Sequence, residues 1–587
     1  MIDVKLTEST INLDTTNGTT IPRAEAMARP EGLPEAEAMA RPEAMAQAEP
    51  APQVESRMPN LRRASHNPAT GGLLGHVPLV GRDGIDAAVQ AAREAQAIWG
   101  EWSPSQRAAS LLQFRDALVE DLEAVATLIS MEQGKPLAEA MSLELLSVLP
   151  QLKWLTTEGV KMLEGHKARL FHPLFTAKEG HYHFEPLGVI AIISPWNYPF
   201  CIPVIQMLTA LMAGNGVVLK PSPYVPLIGQ KIAELARRTN MPAGLLNVLH
   251  VEDSDAPHLT SHPGVDKIIF TGSVATGRQV MASAAQIPTP VVLELGGKDA
   301  AIVAPDADLK RAVPGILWYA MANTGQSCAG IERAYVHADI YSRFVADTVA
   351  LAKTLTIGPG IYQDSQIGPL TNEEQLNIVE AQVEEAKAKG AKVLTGGYRL
   401  PMEGYFYAAT ILVDVTPDMD IMQQETFGPV LPIIKVNSME EAIQAANNSK
   451  FGLTGSIWTT NKEQGIKLAK QMRVGAVNIN DHTFHIGEPG AACGGVGYSG
   501  FGRTHGEFGL LEMVNRKLIT TDMRQGVLEP SWYPYNEKTT HFLRHATYLL
   551  YGTNKRRHWA LLSLMLNPRT WKRVNLVRFI AAIRKWL

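Results

Sequence analysis

From about residue 60 to residue 525, short apolar runs rich in β-branched residues alternate with longer stretches whose apolar positions recur at helical spacing. Gly188-Val189-Ile190-Ala191-Ile192-Ile193, Gly216-Val217-Val218-Leu219 and Lys267-Ile268-Ile269-Phe270 are each bounded by turn residues and read as strands. Ile85 to Trp99 carries Ala and Val at helical spacing, and a helix is expected from about Ala275, after Thr271-Gly272-Ser273. Strands alternating with helices predict an α/β fold with a parallel sheet.

The two ends of the chain break this pattern. The octet Ala-Glu-Ala-Met-Ala-Arg-Pro-Glu occurs at Ala24 to Glu31 and again at Ala36 to Glu43, inside a Pro/Ala/Glu-rich run. With few large apolar residues it cannot offset the entropy of ordering, so residues 1–57 are expected to form a disordered low-complexity tail. From Gln525 to Leu587 there are 11 Lys/Arg against 2 Glu. The apolar stretch Trp559 to Leu566 is far short of the roughly 20 residues that span a membrane. After Pro568, Leu576, Phe579, Ile580, Ile583 and Leu587 share one helical face, with Arg578 and Lys585 opposite. Such a basic amphipathic helix can lie among anionic headgroups; the alternative is packing on the protein's own surface or at a subunit interface.

A chain of 587 residues with 45% hydrophobic content is too long for one compact unit, and a net charge of -4 argues against a nucleic-acid partner. Its 3 cysteines, Cys201, Cys328 and Cys493, form no C-x-x-C pair and no Cys/His cluster at ligand spacing, so neither a metal site nor a structural disulfide is expected. Met1 to Thr20 lacks a basic start followed by an apolar core. The expected location is therefore cytoplasmic, with membrane association through the C-terminal extension as the open question.

Two segments carry the chemistry. Val291-Val292-Leu293-Glu294-Leu295-Gly296-Gly297-Lys298 puts a carboxylate at the end of an apolar strand, before a Gly-Gly turn. Asn323-Thr324-Gly325-Gln326-Ser327-Cys328-Ala329-Gly330 sets a cysteine in a loop of small residues. Alone, the cysteine reads as a small buried hydrophobe and the carboxylate as a solvated strand end. Together they offer a nucleophile for a carbonyl carbon and a base for water.

These two motifs resemble those of the aldehyde dehydrogenase superfamily. Pro195-Trp196-Asn197-Tyr198-Pro199, Gly214 to Ser222, Phe270-Thr271-Gly272-Ser273, Glu425-Thr426-Phe427-Gly428-Pro429-Val430 and Ser499-Gly500-Phe501-Gly502-Arg503 follow in the family's order, covering about Asn60 to Gln525. The resemblance implies a Rossmann-like cofactor-binding domain over 58–168 and 186–294 and an α/β catalytic domain over 295–514. It also implies a small β oligomerisation arm from 169–185 and 515–525, with the basic extension over 526–587. A homo-oligomer, dimer or tetramer, is expected. Cys328 would be the nucleophile, Glu294 the base that activates water against the thioester, and Asn197 the side-chain donor of the oxyanion hole. Branches that pass the acyl group to coenzyme A generally lack this glutamate, so water is the expected acceptor.

The resemblance also implies NAD+ or NADP+ as cofactor. Lys220 and Ser222 would lie near the adenosine ribose, and Thr271, Gly272, Ser273 and Gly277 along the pyrophosphate. Trp196, Leu295, Gly296, Glu425 and Phe427 would lie towards the nicotinamide. Many NAD-specific members have an acidic residue three positions after the lysine; Pro223 stands there instead, so repulsion of a 2′-phosphate is missing and both cofactors stay open. The substrate funnel would be lined by Tyr198, Cys201, Ile202 and Ile205, none charged, which favours apolar, long-chain or aromatic aldehydes over short acidic ones. The loop from His482 to Ala492 would contribute to the funnel too, and within it His482, His485 and Glu488 are given no role. The alternative from another class is a catalytically silent scaffold or membrane-bound binding protein, which would show damage at these chemical positions.

Overall fold

The computed structural model describes residues 61–172, 178–523, 525–526, 529 and 532–566. The repeat-bearing N-terminal segment and the amphipathic face after Pro568 lie outside the described residues.

The apolar runs form the centre of a six-stranded sheet ordered Gly500–Phe501, Val291–Glu294, Lys267–Thr271, Val189–Ile193, Gly216–Lys220, Leu246–Val248. All neighbours are parallel except Gly500–Phe501, which runs antiparallel to Val291–Glu294. The strands Val189–Ile193, Gly216–Lys220 and Lys267–Thr271 are buried along their whole length because helices cover both faces. That double burial explains why they read as unbroken apolar runs rather than alternating ones. Helices Arg82–Gly100 and Val274–Ala284 pack on one face through Ile85, Val89, Ala92, Val280 and Ala284, and helix Cys201–Met212 lies on the other.

Strand order reverses between Val189–Ile193 and Lys267–Thr271. In open α/β sheets the crevice beyond the carboxyl ends of two such strands is the usual ligand site. The loops there are Ser194-Pro195-Trp196-Asn197 and Gly272-Ser273.

A second sheet of seven strands is ordered Lys392–Thr395, Thr410–Val413, Val430–Val436, Ile331–His337, Asp299–Val303, Thr454–Trp458, Ala476–Ile479, with only the first strand antiparallel. The chain passes from the first sheet to the second within Leu295 to Lys298, so Glu294 ends one sheet and Asp299 begins the other. The later part of the chain returns: Gly500–Phe501 edges the six-stranded sheet, and Leu510, Met513 and Val514 join its core.

A three-stranded antiparallel sheet, Val514–Asp522 against Lys178–Pro186 against His166–Lys167, stands where the small arm is expected. On Val514–Asp522 only Val514 is buried, and Leu518 and Ile519 are exposed. Beyond it, helices Glu537–Tyr551 and Asn554–Met565 pack together through Phe542, Ala546, Leu549, Leu550 and Ala560. No helix among the described residues is long and apolar enough to cross a membrane.

Candidate active site

The nucleophile loop is held in a conformation that few sequences tolerate. Helix Leu309–Met321 ends, and Asn323, Thr324 and Gly325 then take positive φ values of 54°, 58° and 71°. Such a φ is costly for a β-branched threonine and persists only where the surroundings enforce it. The enforcement is visible. Glu139 accepts a hydrogen bond from Asn323 N at 2.7 Å, Thr324 Oγ1 donates to Gly368 O at 3.1 Å, and Gln326 Oε1 accepts from Thr371 N at 2.9 Å. A Cβ on Gly325 would sit 2.0 Å from Gly428 O, so no larger residue fits. Cys328 follows directly and keeps part of its surface open.

Asn197 is fixed by a buried ionic network. Lys135 Nζ donates to Asn197 O at 2.9 Å and to Glu144 Oε1 at 2.6 Å, with both charged side chains 0% exposed. The other Glu144 oxygen accepts from Phe200 N at 3.1 Å and Cys201 N at 2.7 Å, at the start of helix Cys201–Met212. Asn323 Nδ2 also donates to Asn197 O at 2.8 Å, and Asn197 Nδ2 donates to Gln326 O at 3.0 Å. The amide nitrogen carries two hydrogens, which leaves a second N–H for another acceptor near Cys328.

Glu294 is paired in the sheet with Gly500, and its Oε1 is buried without a hydrogen-bond partner. Burial raises its pKa well above the ordinary carboxylate value, opposed only by Arg503. The Cys328 thiol is pushed up to about 12, first by burial and then by Glu425, Asp299 and Glu294. Burial thus disfavours the charged form of both the thiol and the carboxyl group.

Two cavities meet at these residues. The first, of about 430 Å³, is lined by all four candidate funnel residues Tyr198, Cys201, Ile202 and Ile205, with Trp318, Tyr319 and Phe484 towards its outer part. Among the described residues, no Lys or Arg lines it. The second, of about 330 Å³, is the crevice at the strand-order reversal, lined by Trp196, Asn197, Gly272, Ser273, Gly296, Glu425 and Phe427 among others. Thr271, Glu294, Leu295 and Cys328 line both.

The crevice is narrow and well braced. Glu425 Oε1 accepts from Gly297 N at 3.0 Å, and a Cβ on Gly296 would lie 2.3 Å from Glu425 Oε2. Trp196 and Phe427 meet edge to face at 5.4 Å. Ser273 caps helix Val274–Ala284, accepting from Thr276 N at 3.2 Å, so the helix N-terminus opens towards the crevice. Lys220 and Ser222 are buried beside Tyr224 and the Ser194 loop but are not in the crevice lining; Lys220 faces Asp253 at 3.5 Å. Gly277 also stays out of the lining and instead lets its helix close on Leu295.

Several participants escaped sequence reasoning. Lys135, Glu139 and Glu144 brace the loops; Lys135 stands in the Gly134-Lys135-Pro136 turn and the two glutamates in the helical stretch after it, where no local motif marks them. Cys493, Trp318 and Tyr319 join the first cavity from distant segments, while Phe484, Ile486 and Gly487 come from the loop that was expected to contribute. His482 is fully buried against Ser456 Oγ at 2.9 Å with its pKa lowered to about 3 by burial, so it is a neutral packing residue. His485 meets Asn478 Nδ2 at 3.1 Å, and Glu488 lines the first cavity's rim.

Comparison with known proteins agrees with this geometry. The model of the aldehyde dehydrogenase family matches residues 56–519. The chain is similar to 4,4'-diapolycopene aldehyde oxidase of Methylomonas sp, 37% identical over 474 residues, covering 81% of this chain and 88% of that protein. It is also similar to succinate-semialdehyde dehydrogenase [NADP(+)] of Escherichia coli (strain K12), 36% identical over 458 residues, covering 77% and 93%. The crystal structure of Mycobacterium tuberculosis aldehyde dehydrogenase complexed with NAD+ superposes with a TM-score of 0.76 at 33% identity, covering 81% of this chain and 96% of that one. With the family's motifs gathered around one thiol between two cavities, and the match running through both sheets, the chain belongs to the aldehyde dehydrogenase family.

Proposed function

We propose that the protein oxidises an apolar or aromatic aldehyde to its carboxylic acid, with NAD+ or NADP+ accepting the hydride. The observation that carries this reading is that Cys328 and Glu294 both face the two cavities at once, one apolar and open to solvent, the other at the strand-order reversal. An aldehyde entering the first cavity meets the thiol, and an acceptor in the second can receive what leaves.

The chain's own residues divide the work. As Cys328 Sγ bonds to the aldehyde carbon, the thiol proton passes to water in the open cavity that Cys328 lines. Negative charge grows on the former carbonyl oxygen, and the free N–H of Asn197 with the Cys328 backbone N–H would hold it. A nicotinamide in the crevice supplies a hydride acceptor. The thioester left on Cys328 is then attacked by water deprotonated by Glu294, which burial makes a stronger base than an ordinary carboxylate. The acid leaves and the thiol is restored.

The crevice fits such a cofactor in chemistry. A helix N-terminus at Ser273 suits a pyrophosphate, Glu425 suits ribose hydroxyls, and Trp196 and Phe427 suit a planar ring. With Pro223 after Lys220, nothing there repels a 2′-phosphate. The relatives bear names with NADP(+) and NAD+, which supports keeping both. On this reading 58–168 with 186–294 carries the cofactor, 295–514 carries the nucleophile, and the exposed arm strands join subunits. Relatives named for succinate and glutarate semialdehydes handle short anionic substrates, whereas this cavity lacks a lining cation, which favours uncharged aldehydes.

A separate observation favours lipid contact by the C-terminal extension. Trp532, Tyr533, Tyr535, Trp559, Leu562 and Leu566 are exposed there beside Arg544, Lys555 and Arg556, a mixture suited to an anionic membrane surface. Removing 526–587 should abolish sedimentation with anionic vesicles; unchanged sedimentation would overturn it.

The function is tested by following NAD(P)H absorbance with acetaldehyde, hexanal, hexadecanal, benzaldehyde and succinic semialdehyde, each with NAD+ and NADP+. Turnover favouring the apolar aldehydes and lost in Cys328→Ala supports the reading. Cofactor binding without turnover of any aldehyde would point to a silent scaffold.

A further inference from the structure

Resting on the aldehyde-oxidising reading, we infer that this enzyme accepts long apolar aldehydes with an anionic group at the far end, held at Lys310 and Arg311. The basis is a second open groove beyond the substrate cavity. It has a volume of about 440 Å³ and is formed by Lys310, Arg311, Pro314, Gly315, Trp318, Tyr319, Trp458 and Asp481. Trp318, Tyr319 and Asp481 line both spaces, so they are the shared wall.

Helix Leu309–Met321 sets the distance. Arg311, Gly315 and Trp318 follow at i, i+4 and i+7 and so lie along one face, and the helix C-terminus leads into the Cys328 loop. From Arg311 to Met321 the helix rises about 15 Å. At about 1.3 Å per zigzag C–C bond, that spans on the order of a dozen carbons. Gly315 leaves the middle of this face without a side chain; a Cβ there would meet the Trp458 ring at 2.6 Å, so the Trp458 indole is the floor. A flexible chain or a rigid polyene crossing Trp318 would find an apolar bed.

The charges are arranged by distance from the thiol. Among the described residues, the first cavity is lined by carboxylates and no Lys or Arg, while Lys310 and Arg311 line the outer groove. Asp481 is already engaged: its Oδ1 accepts from Tyr319 Oη at 2.7 Å, His482 N at 2.8 Å and Phe484 N at 3.2 Å. Arg311 Nε donates to Asn480 O at 2.9 Å, and its Nη2 lies 3.6 Å from Asp481 Oδ2, yet 63% of its side chain stays exposed. Asp308 Oδ1 accepts from the backbone N of Lys310, and Lys310 itself is exposed beside the groove it lines. A carboxylate close to the aldehyde would sit among Glu294, Asp481 and Glu488, whereas one beyond Trp318 would meet the guanidinium. An acidic aldehyde is thus accepted or rejected by its length.

The test compares kcat/KM for hexanal, dodecanal, succinic semialdehyde and the twelve-carbon ω-oxo acid in the full chain. The ω-oxo acid should exceed dodecanal, and succinic semialdehyde should be the poorest. In Lys310→Ala/Arg311→Ala, KM for the ω-oxo acid should rise about tenfold or more, as expected for losing a charge-assisted contact, with kcat held. Hexanal should be unaffected, which also reports that the variant is folded, and Arg311→Lys should restore part of the loss. An ω-oxo acid no better than dodecanal, or a double variant that treats it as the parent does, would overturn the inference. Failure to oxidise hexanal in the parent protein would instead overturn the aldehyde reading on which it rests.

Discussion

Replacing Lys135 with Met removes the charge that fixes Asn197 while keeping the length of the side chain. In the structure Lys135 and Glu144 are 0% exposed, meet at 2.6 Å, and Lys135 also donates to Asn197 O at 2.9 Å. Deleting one partner of such a buried pair costs about 3 to 5 kcal/mol, because the other charge stays desolvated. Glu144 keeps two backbone donors, Phe200 N and Cys201 N, which puts the expected loss at the lower end. The functional effect comes through Asn197. Losing an oxyanion donor outright lowers kcat by about 100- to 1000-fold. Loosening one that Asn323 and Gln326 still hold should lower it by about tenfold or more, with little change in cofactor affinity. Urea unfolding of parent, Lys135→Met, Glu144→Gln and the double variant, beside steady-state kinetics with hexanal, measures both terms. The double variant should recover stability relative to the sum of the singles, since the pair acts as a unit. Additive losses, or a Lys135→Met protein with unchanged kcat, would refute the assignment of this network to Asn197.

Other expectations concern the thiol and the carboxyl group. Adding NAD+ brings a positive ring into the crevice that Cys328 lines, so alkylation of Cys328 by iodoacetamide should shift to pH values about one to three units lower; no shift or an upward one would contradict the shared-cavity geometry. Glu294 has a folded pKa raised above its unfolded value, so keeping it costs stability increasingly as pH rises above the unfolded pKa. Glu294→Gln should therefore match the parent near pH 4 to 5, at roughly its unfolded pKa, and be the more stable protein at pH 8; the reverse trend would show that Glu294 is stabilised as an anion. Gly325→Ala should lose at least about 2 kcal/mol and most activity, since its Cβ would meet Gly428 O at 2.0 Å at a φ of 71°; a stable, active variant would show that the loop is not held as described.

The strands that build the crevice were legible because burial on both faces writes them as continuous apolar runs. Gly188 to Ile193 became Val189–Ile193, and the expected helix from about Ala275 became Val274–Ala284. The arm was expected from 169–185 and 515–525; its paired strands are Lys178–Pro186 and Val514–Asp522, since partly exposed strands carry a weaker pattern. The motif residues Cys328, Glu294, Asn197, Glu425 and Phe427 do converge. What was not legible arises from contacts between distant segments. Nothing in the local sequence joins Lys135 to Asn197, or Trp318 to Phe484 across a shared cavity. Lys220 and Ser222 show the converse, since their motif says cofactor while their side chains lie outside the crevice lining.

The central claim is a covalent acyl group on Cys328, and mass spectrometry of Glu294→Gln protein mixed with hexanal and NAD+ addresses it directly. Without the base, hydrolysis should stall after about one NADH per active site, and the peptide containing Cys328 should carry the mass of a hexanoyl group. An unmodified Cys328, or acyl groups on Cys201 or Cys493 instead, would contradict the account.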